Sequence, residues 1–154
     1  MRFIDTNVFV RYFAPRVELE NRQLFLAARD IFAEASNGSA RFTTIEAILA
    51  EVVFVLSSKH LYQQSREIIA NRLKSILMLP GCAYPSRSVA IEALSLWERE
   101  RSISFVDALC IAESFEHQYE LVTFDGDLAK IAKIVRWDLR TIAREITDSK
   151  EGDI

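Results

Sequence analysis

The sequence predicts an α/β fold, a parallel sheet of short strands with helices on both faces. Three observations carry the prediction. Short β-like runs alternate with longer segments of helical periodicity. Helices separate successive strands, so the connections are right-handed crossovers and not hairpins. Four Gly and three Pro are scattered over 154 residues, and no Gly- or Pro-rich linker divides the chain.

Arg2-Phe3-Ile4 reads as the first strand, ending at Asp5, with Thr6 and Asn7 as helix-start residues. From Glu18 to Asn37, apolar residues at Leu24, Phe25, Ala28, Ile31, Phe32 and Ala35 recur at helical spacing, and Asn37-Gly38 closes the helix. Arg41-Phe42-Thr43 is a second strand, followed by a mostly buried helix from Thr44 to Leu56. Gln63 to Leu79 carries an apolar face at Ile68, Ile69, Leu73, Ile76 and Leu77 and stops at Pro80-Gly81. Two further helices span Ser88–Glu100 and Ser104–Glu116. Leu121-Val122-Thr123-Phe124 is the clearest strand, broken by Asp125-Gly126, and a short helix from Asp127 to Lys133 leads to a last strand at Ile134–Trp137. A single domain is expected over residues 1–145, with an acidic tail at 146–154 that frays.

Composition narrows the class. Half the residues are hydrophobic and 27% are charged, the balance of a globular chain and not of a disordered one. No apolar run approaches the ~20 residues of a membrane span. The N-terminus lacks a long apolar signal region, and two cysteines, Cys82 and Cys110, form no disulfide framework, so a reducing cytoplasm is expected. The net charge of −3 argues at first against nucleic acid, yet 14 of the 19 basic residues are Arg, the side chain best shaped for phosphate.

The carboxylates point to chemistry. In α/β sheets ligands sit outside the carboxyl ends of the strands, where Asp5 and Asp125 are expected to fall. Asp5 has a capping alternative, although Thr6 and Asn7 compete for that role. Glu51 has Ala47, Ile48, Phe54 and Val55 as its helical neighbours and so projects from an apolar face. A carboxylate buried there needs a partner or a metal, a distant Arg being the structural alternative. Glu46 lies ~140° around the helix from Glu51 and completes Thr43-x-x-Glu46, so it is assigned to capping. Asp107 sits among Ile103, Cys110 and Ile111 and completes Ser104-x-x-Asp107, so a capping box and a ligand role are both open. Asp127 reads first as a turn or cap residue and second as an accessory residue of the site. Four converging carboxylates would repel by ~4 kcal/mol per pair at 4 Å and a dielectric of ~20, which a hard divalent cation removes. An all-oxygen set selects Mg²⁺ or Mn²⁺ over zinc or copper. His60 and His117 are read as surface residues. Asn7 and Thr123 are accessory candidates for bonding a phosphate or the carboxylates, Thr6 reads rather as a cap, and Arg11 is a candidate contact to a flanking phosphate.

Phe-Ile-Asp5-Thr-Asn-Val, Ala-Glu51-Val-Val-Phe-Val-Leu, Ser-Phe-Val-Asp107-Ala-Leu and Leu-Val-Thr-Phe-Asp125-Gly-Asp127 together resemble the PIN-domain ribonucleases, in family order from residue 5 to residue 127. The branch they look most like is the VapC-type toxins of bacterial toxin–antitoxin pairs. The resemblance implies a three-layer α/β/α sandwich in which Asp5, Glu51, Asp107 and Asp125 bind one or two Mg²⁺ and hydrolyse a phosphodiester in RNA. It also implies a homodimer and an antitoxin whose C-terminal segment blocks the site. One departure is Gly126, where the family often places a basic or bulky residue.

Three other readings compete with it. A haloacid-dehalogenase phosphatase wants a second Asp two residues after the first, and that position is Asn7. A flap-type DNA nuclease is usually longer. A non-catalytic binding or regulatory module would not need four intact acids. The apolar residues Phe9, Phe13, Leu24, Phe25 and Trp97 are read first as core, and any of them left on the surface would face a dimer or antitoxin.

Overall fold

The computed structural model describes residues 1–14 and 19–134, with the backbone alone at 19–21. Strand β1 (Arg2–Phe3) leads into α1 (Thr6–Phe13), followed by α2 (Leu19–Ser36), β2 (Phe42–Thr43) and α3 (Glu46–Ser57). Helices α4 (Arg66–Leu77), α5 (Arg87–Arg99) and α6 (Phe105–Glu116) follow, and α7 occupies 126–134. The described residues form a mostly helical α/β fold on a small parallel sheet. β1 pairs with β2, Arg2 opposite Phe42 and Phe3 opposite Thr43, and an isolated parallel bridge joins Phe42 to Cys82.

Local chemistry explains the ends of the helices. Asn37-Gly38 closes α2 as expected, with Gly38 at a positive φ of 77°, a conformation that costs glycine nothing. At the start of α4 the Ser65 side chain accepts from the Ile68 amide at 3.3 Å. Ser104 and Asp107 complete the predicted capping box of α6. Gly81 is required by close approach: a Cβ there would lie 2.2 Å from the Ala40 carbonyl oxygen and 2.8 Å from the Ala35 Cα. That packing lets Gly81 N–H donate to Ala35 and its carbonyl accept from Phe42, tying the chain before Cys82 to β2.

One core runs through the molecule. Phe9, Leu49, Val52, Leu56, Ile69, Leu73, Leu77 and Leu94 are completely buried, each such side chain contributing roughly 1.5–3 kcal/mol. Phe32 joins Phe9, Tyr12 and Phe42 in an aromatic group that packs α1 and α2 on β2. Phe9, Phe13 and Trp97 are core residues, as read, whereas Leu24 is exposed and Phe25 stacks beside Tyr12.

Two expectations are corrected. Leu121–Phe124 is not a strand: Val122 and Phe124 are fully or nearly fully exposed and no described strand pairs with the segment. A β-rich sequence becomes a strand only where a ladder and a packing face receive it, and here neither does. Glu46 forms no capping box either. Ile45 is the residue preceding α3, without a side-chain cap, and the Glu46 carboxylate instead accepts from the buried Tyr84 hydroxyl at 2.7 Å. The expected strand at Ile134–Trp137 lies outside the described residues except for Ile134, which is helical, and the expected frayed tail lies wholly outside them. No described helix is long and apolar enough to cross a membrane.

Candidate active site

The turn from β1 into α1 builds the centre of the site. Ile4 N–H donates to Thr43, and Thr44, on β2's own exit, donates its hydroxyl to the Ile4 carbonyl at 3.1 Å. These bonds lock the carboxyl ends of both strands side by side. Asp5 precedes α1 with an extended backbone, and its side chain does not cap the helix. The carboxylate, exposed, instead receives the Asn7 amide at 3.4 Å. Thr6 is buried and donates its hydroxyl to Glu51 Oε2 at 2.5 Å, so α1 and α3 are joined at the site. Thr6 is not the cap that its sequence context predicts; its hydroxyl orients a candidate ligand instead.

Asp5 and Glu51 thus line one cleft of about 300 Å³, together with Thr6, Asn7, Arg11 and Tyr62. Glu51 is solvent-exposed within it, not buried as its apolar neighbours suggested. Those neighbours do not bury it, because Ala47 and Phe54 are themselves exposed and Ile48 and Val55 are only partly buried. Arg11 lines the same cleft. Tyr62 escaped the sequence reading because it sits in an irregular turn with no periodic signal.

Asp107 and Asp125 do not line this cleft. Asp107 Oδ2 accepts from Ser104 N at 2.9 Å and Ser104 Oγ at 2.7 Å. Asp125 Oδ1 accepts from the amides of Asp127 and Leu128 at 2.9 and 3.0 Å, capping α7. The cap therefore falls on Asp125 and not on Asp127, which pairs with Lys130 at 3.4 Å. Thr123 accepts from the Asp125 amide and shapes the same turn. Each cap uses one carboxylate oxygen, a role compatible with ligation by the other. Among the described residues no group of three or more His, Cys, Asp or Glu side chains is arranged to hold a metal ion.

The donor set decides what the cleft suits. Asp5 and Glu51 offer hard carboxylate oxygens, and neither His nor Cys lines the cavity. That chemistry fits a hard divalent cation of the Mg²⁺ or Mn²⁺ type.

A family model described as PIN domain matches residues 2–134. The chain belongs to the PIN-domain family. This is a family of nucleases that typically use divalent metals, so the chain has a nuclease role and, at that level, is a hydrolase. The PIN match begins at β1 and ends with α7, taking in all four candidate acids. No curated protein matches the chain.

Proposed function

We propose that this PIN-domain chain is a Mg²⁺- or Mn²⁺-dependent endoribonuclease, the VapC-type toxin of a type II toxin–antitoxin pair. It would act in the cytoplasm as a homodimer held in check by an antitoxin, on the three-layer α/β/α sandwich that the resemblance implies. The observation that carries the catalytic part is the placing of Asp5 and Glu51 in one cleft at the paired strand ends, within the PIN match.

Asp5 and Glu51 would hold the cation, with Asp107 and Asp125 offering their oxygens not used in capping. When bound, such an ion neutralises phosphate charge and acidifies a coordinated water. Thr6 fixes the rotamer of Glu51 through its hydroxyl, so that carboxylate meets its ligand already oriented. Asn7 does the same for Asp5. Arg11, on the cleft wall, would grip a phosphate flanking the one attacked.

Asp5→Asn or Asp107→Asn should lower Mg²⁺-dependent cleavage of single-stranded RNA by at least about 100-fold while circular dichroism stays unchanged. Full activity in excess EDTA would overturn the metal mechanism. Growth arrest on expression, relieved by a small neighbouring reading frame, tests the toxin assignment. One observation favours a second reading: Asp107 and Asp125 are both engaged as caps, as they would be in a non-catalytic binding module. A calorimetric titration without millimolar Mg²⁺ or Mn²⁺ binding would favour that module.

A further inference from the structure

A second cavity, about 520 Å³, lies beside the cleft between α3, α4, α5 and α6. Its walls are next in sequence to two of the candidate acids, although neither acid lines it. Phe54 and Ala50 line it from α3, three residues after and one before Glu51; Ser104 and Val106 line it from the start of α6, just ahead of Asp107. On a helix, residues three apart share a face, so the Phe54 ring and the Glu51 carboxylate look out on the same side.

The lining is unusual in three respects. Phe54 and Val106 are 69% and 54% exposed, so two apolar side chains offer open faces where core packing does not use them. Gln64 and Ser57 add hydrogen-bonding groups to the wall. Two of the twelve lining residues, Arg66 and Arg101, are cationic and none is acidic, in contrast to the Asp5–Glu51 cleft.

The two arginines have different parts. Arg66 is pinned: its guanidinium lies 4.8 Å from the centre of the Trp97 ring and donates to the carbonyls of Trp97 and Glu100 at 2.8 and 3.0 Å and of Arg101 at 3.3 Å. It thereby fixes the end of α5 and the position of the exposed Arg101. Both side chains line the one cavity, and burial, followed by the positive charge of Arg101, lowers the Arg66 pKa. An anion entering between them relieves that repulsion.

We propose that this cavity is the subsite for the base of the nucleotide flanking the scissile phosphate of a single-stranded RNA, with Phe54 as the stacking platform and Arg101 as the contact to that nucleotide's phosphate. The inference rests on the nuclease reading above. An exposed aromatic ring beside cations and side-chain amide and hydroxyl groups is the combination that single-stranded nucleic acid uses, stacking for the base and charge for the backbone. An acidic protein segment would satisfy the charge but would leave the flat face of Phe54 without its best partner.

The test uses the full chain and a mixed-sequence single-stranded RNA whose cut site has been mapped with the wild type. Replacing the flanking nucleotide by an abasic one should cost the wild type about tenfold in kcat/KM, mainly through KM. Phe54→Ala should lose about the same factor on the parent RNA and nothing more on the abasic RNA. Arg101→Gln should raise KM and flatten its dependence on salt. Both positions are exposed, and unchanged thermal midpoints check the fold. If an active wild type and Phe54→Ala suffer the same abasic penalty, the subsite is overturned and the nuclease reading stands. If Phe54→Ala changes the elution volume of the chain while the abasic penalty persists, the face is a contact between copies and the subsite is overturned. A wild type that cuts no RNA with Mg²⁺ or Mn²⁺ removes the nuclease reading and this inference with it.

Discussion

At the scale of single residues, Thr6 shows how far a side chain's role can depart from its sequence context. Its place after a strand and before a helix is that of a cap, but burial aims its hydroxyl across to Glu51, 45 positions away. Thr6→Val, which keeps the shape and removes the donor, should slow RNA cleavage about tenfold, the equivalent of ~1.4 kcal/mol, with little change in KM. Steady-state kinetics with an unchanged circular dichroism spectrum would check it. Tyr84 and Glu46 give a pH-dependent counterpart. The Tyr84 hydroxyl, outweighing desolvation, holds the Glu46 carboxyl below its usual range, and burial together with Glu46 pushes the Tyr84 phenol far up. A carboxyl whose pKa is lowered by folding stabilises the folded state above its unfolded pKa and loses that contribution as pH falls through the folded value. Tyr84→Phe should therefore cost no more than about 1 kcal/mol at pH 7, and the difference from wild type should vanish as pH falls below the usual Glu range, as read by denaturant melts at both pH values. That Asp5 and Glu51 would share one cleft was legible in their sequence contexts, a strand end and an apolar helical stretch. Their partners were not, since a hydroxyl's target is decided by packing between α1 and α3.

At the scale of elements, periodicity located six of the helices well, because an apolar stripe at helical spacing is itself the packing face. The α2 stop at Asn37-Gly38 and the α6 capping box were readable for the same reason: both are written in adjacent residues. Leu121–Phe124 failed because its composition satisfies strand preference while its partner would have to come from distant sequence. Gly81 was read only as a stop signal, yet its absent Cβ is what lets the Cys82 bridge approach β2. Gly81→Ala should destabilise the protein by about 3 kcal/mol or prevent folding, since the atoms it meets are backbone and cannot rotate away. Gly126→Ala is the matched control, because a Cβ there meets nothing within 4 Å. Thermal melts of the two variants should separate clearly.

At the scale of the whole molecule, the acidic total proves uninformative about the partner, because charge is sorted by place. The carboxylates of Asp5 and Glu51 occupy one cleft, and the cavity next to it has Arg66 and Arg101 with no acid among its lining residues. Divalent ions bound only by the folded state should raise the thermal midpoint in proportion to the logarithm of their concentration. Scanning calorimetry of wild type and Asp5→Asn in 0 to ~10 mM Mn²⁺ should show the rise in the former and its loss in the latter.

The seating of Trp97 has an optical consequence. The indole is 97% shielded from water, lies under the Arg66 guanidinium and meets the Phe105 ring edge-on at 6.1 Å, all on the wall of the second cavity. Its emission is thus governed by a fixed cation and by whatever displaces solvent above it. The sequence contains one other tryptophan, Trp137. With that residue replaced by phenylalanine, the protein becomes its own unlabelled fluorescent gauge of what enters the cavity.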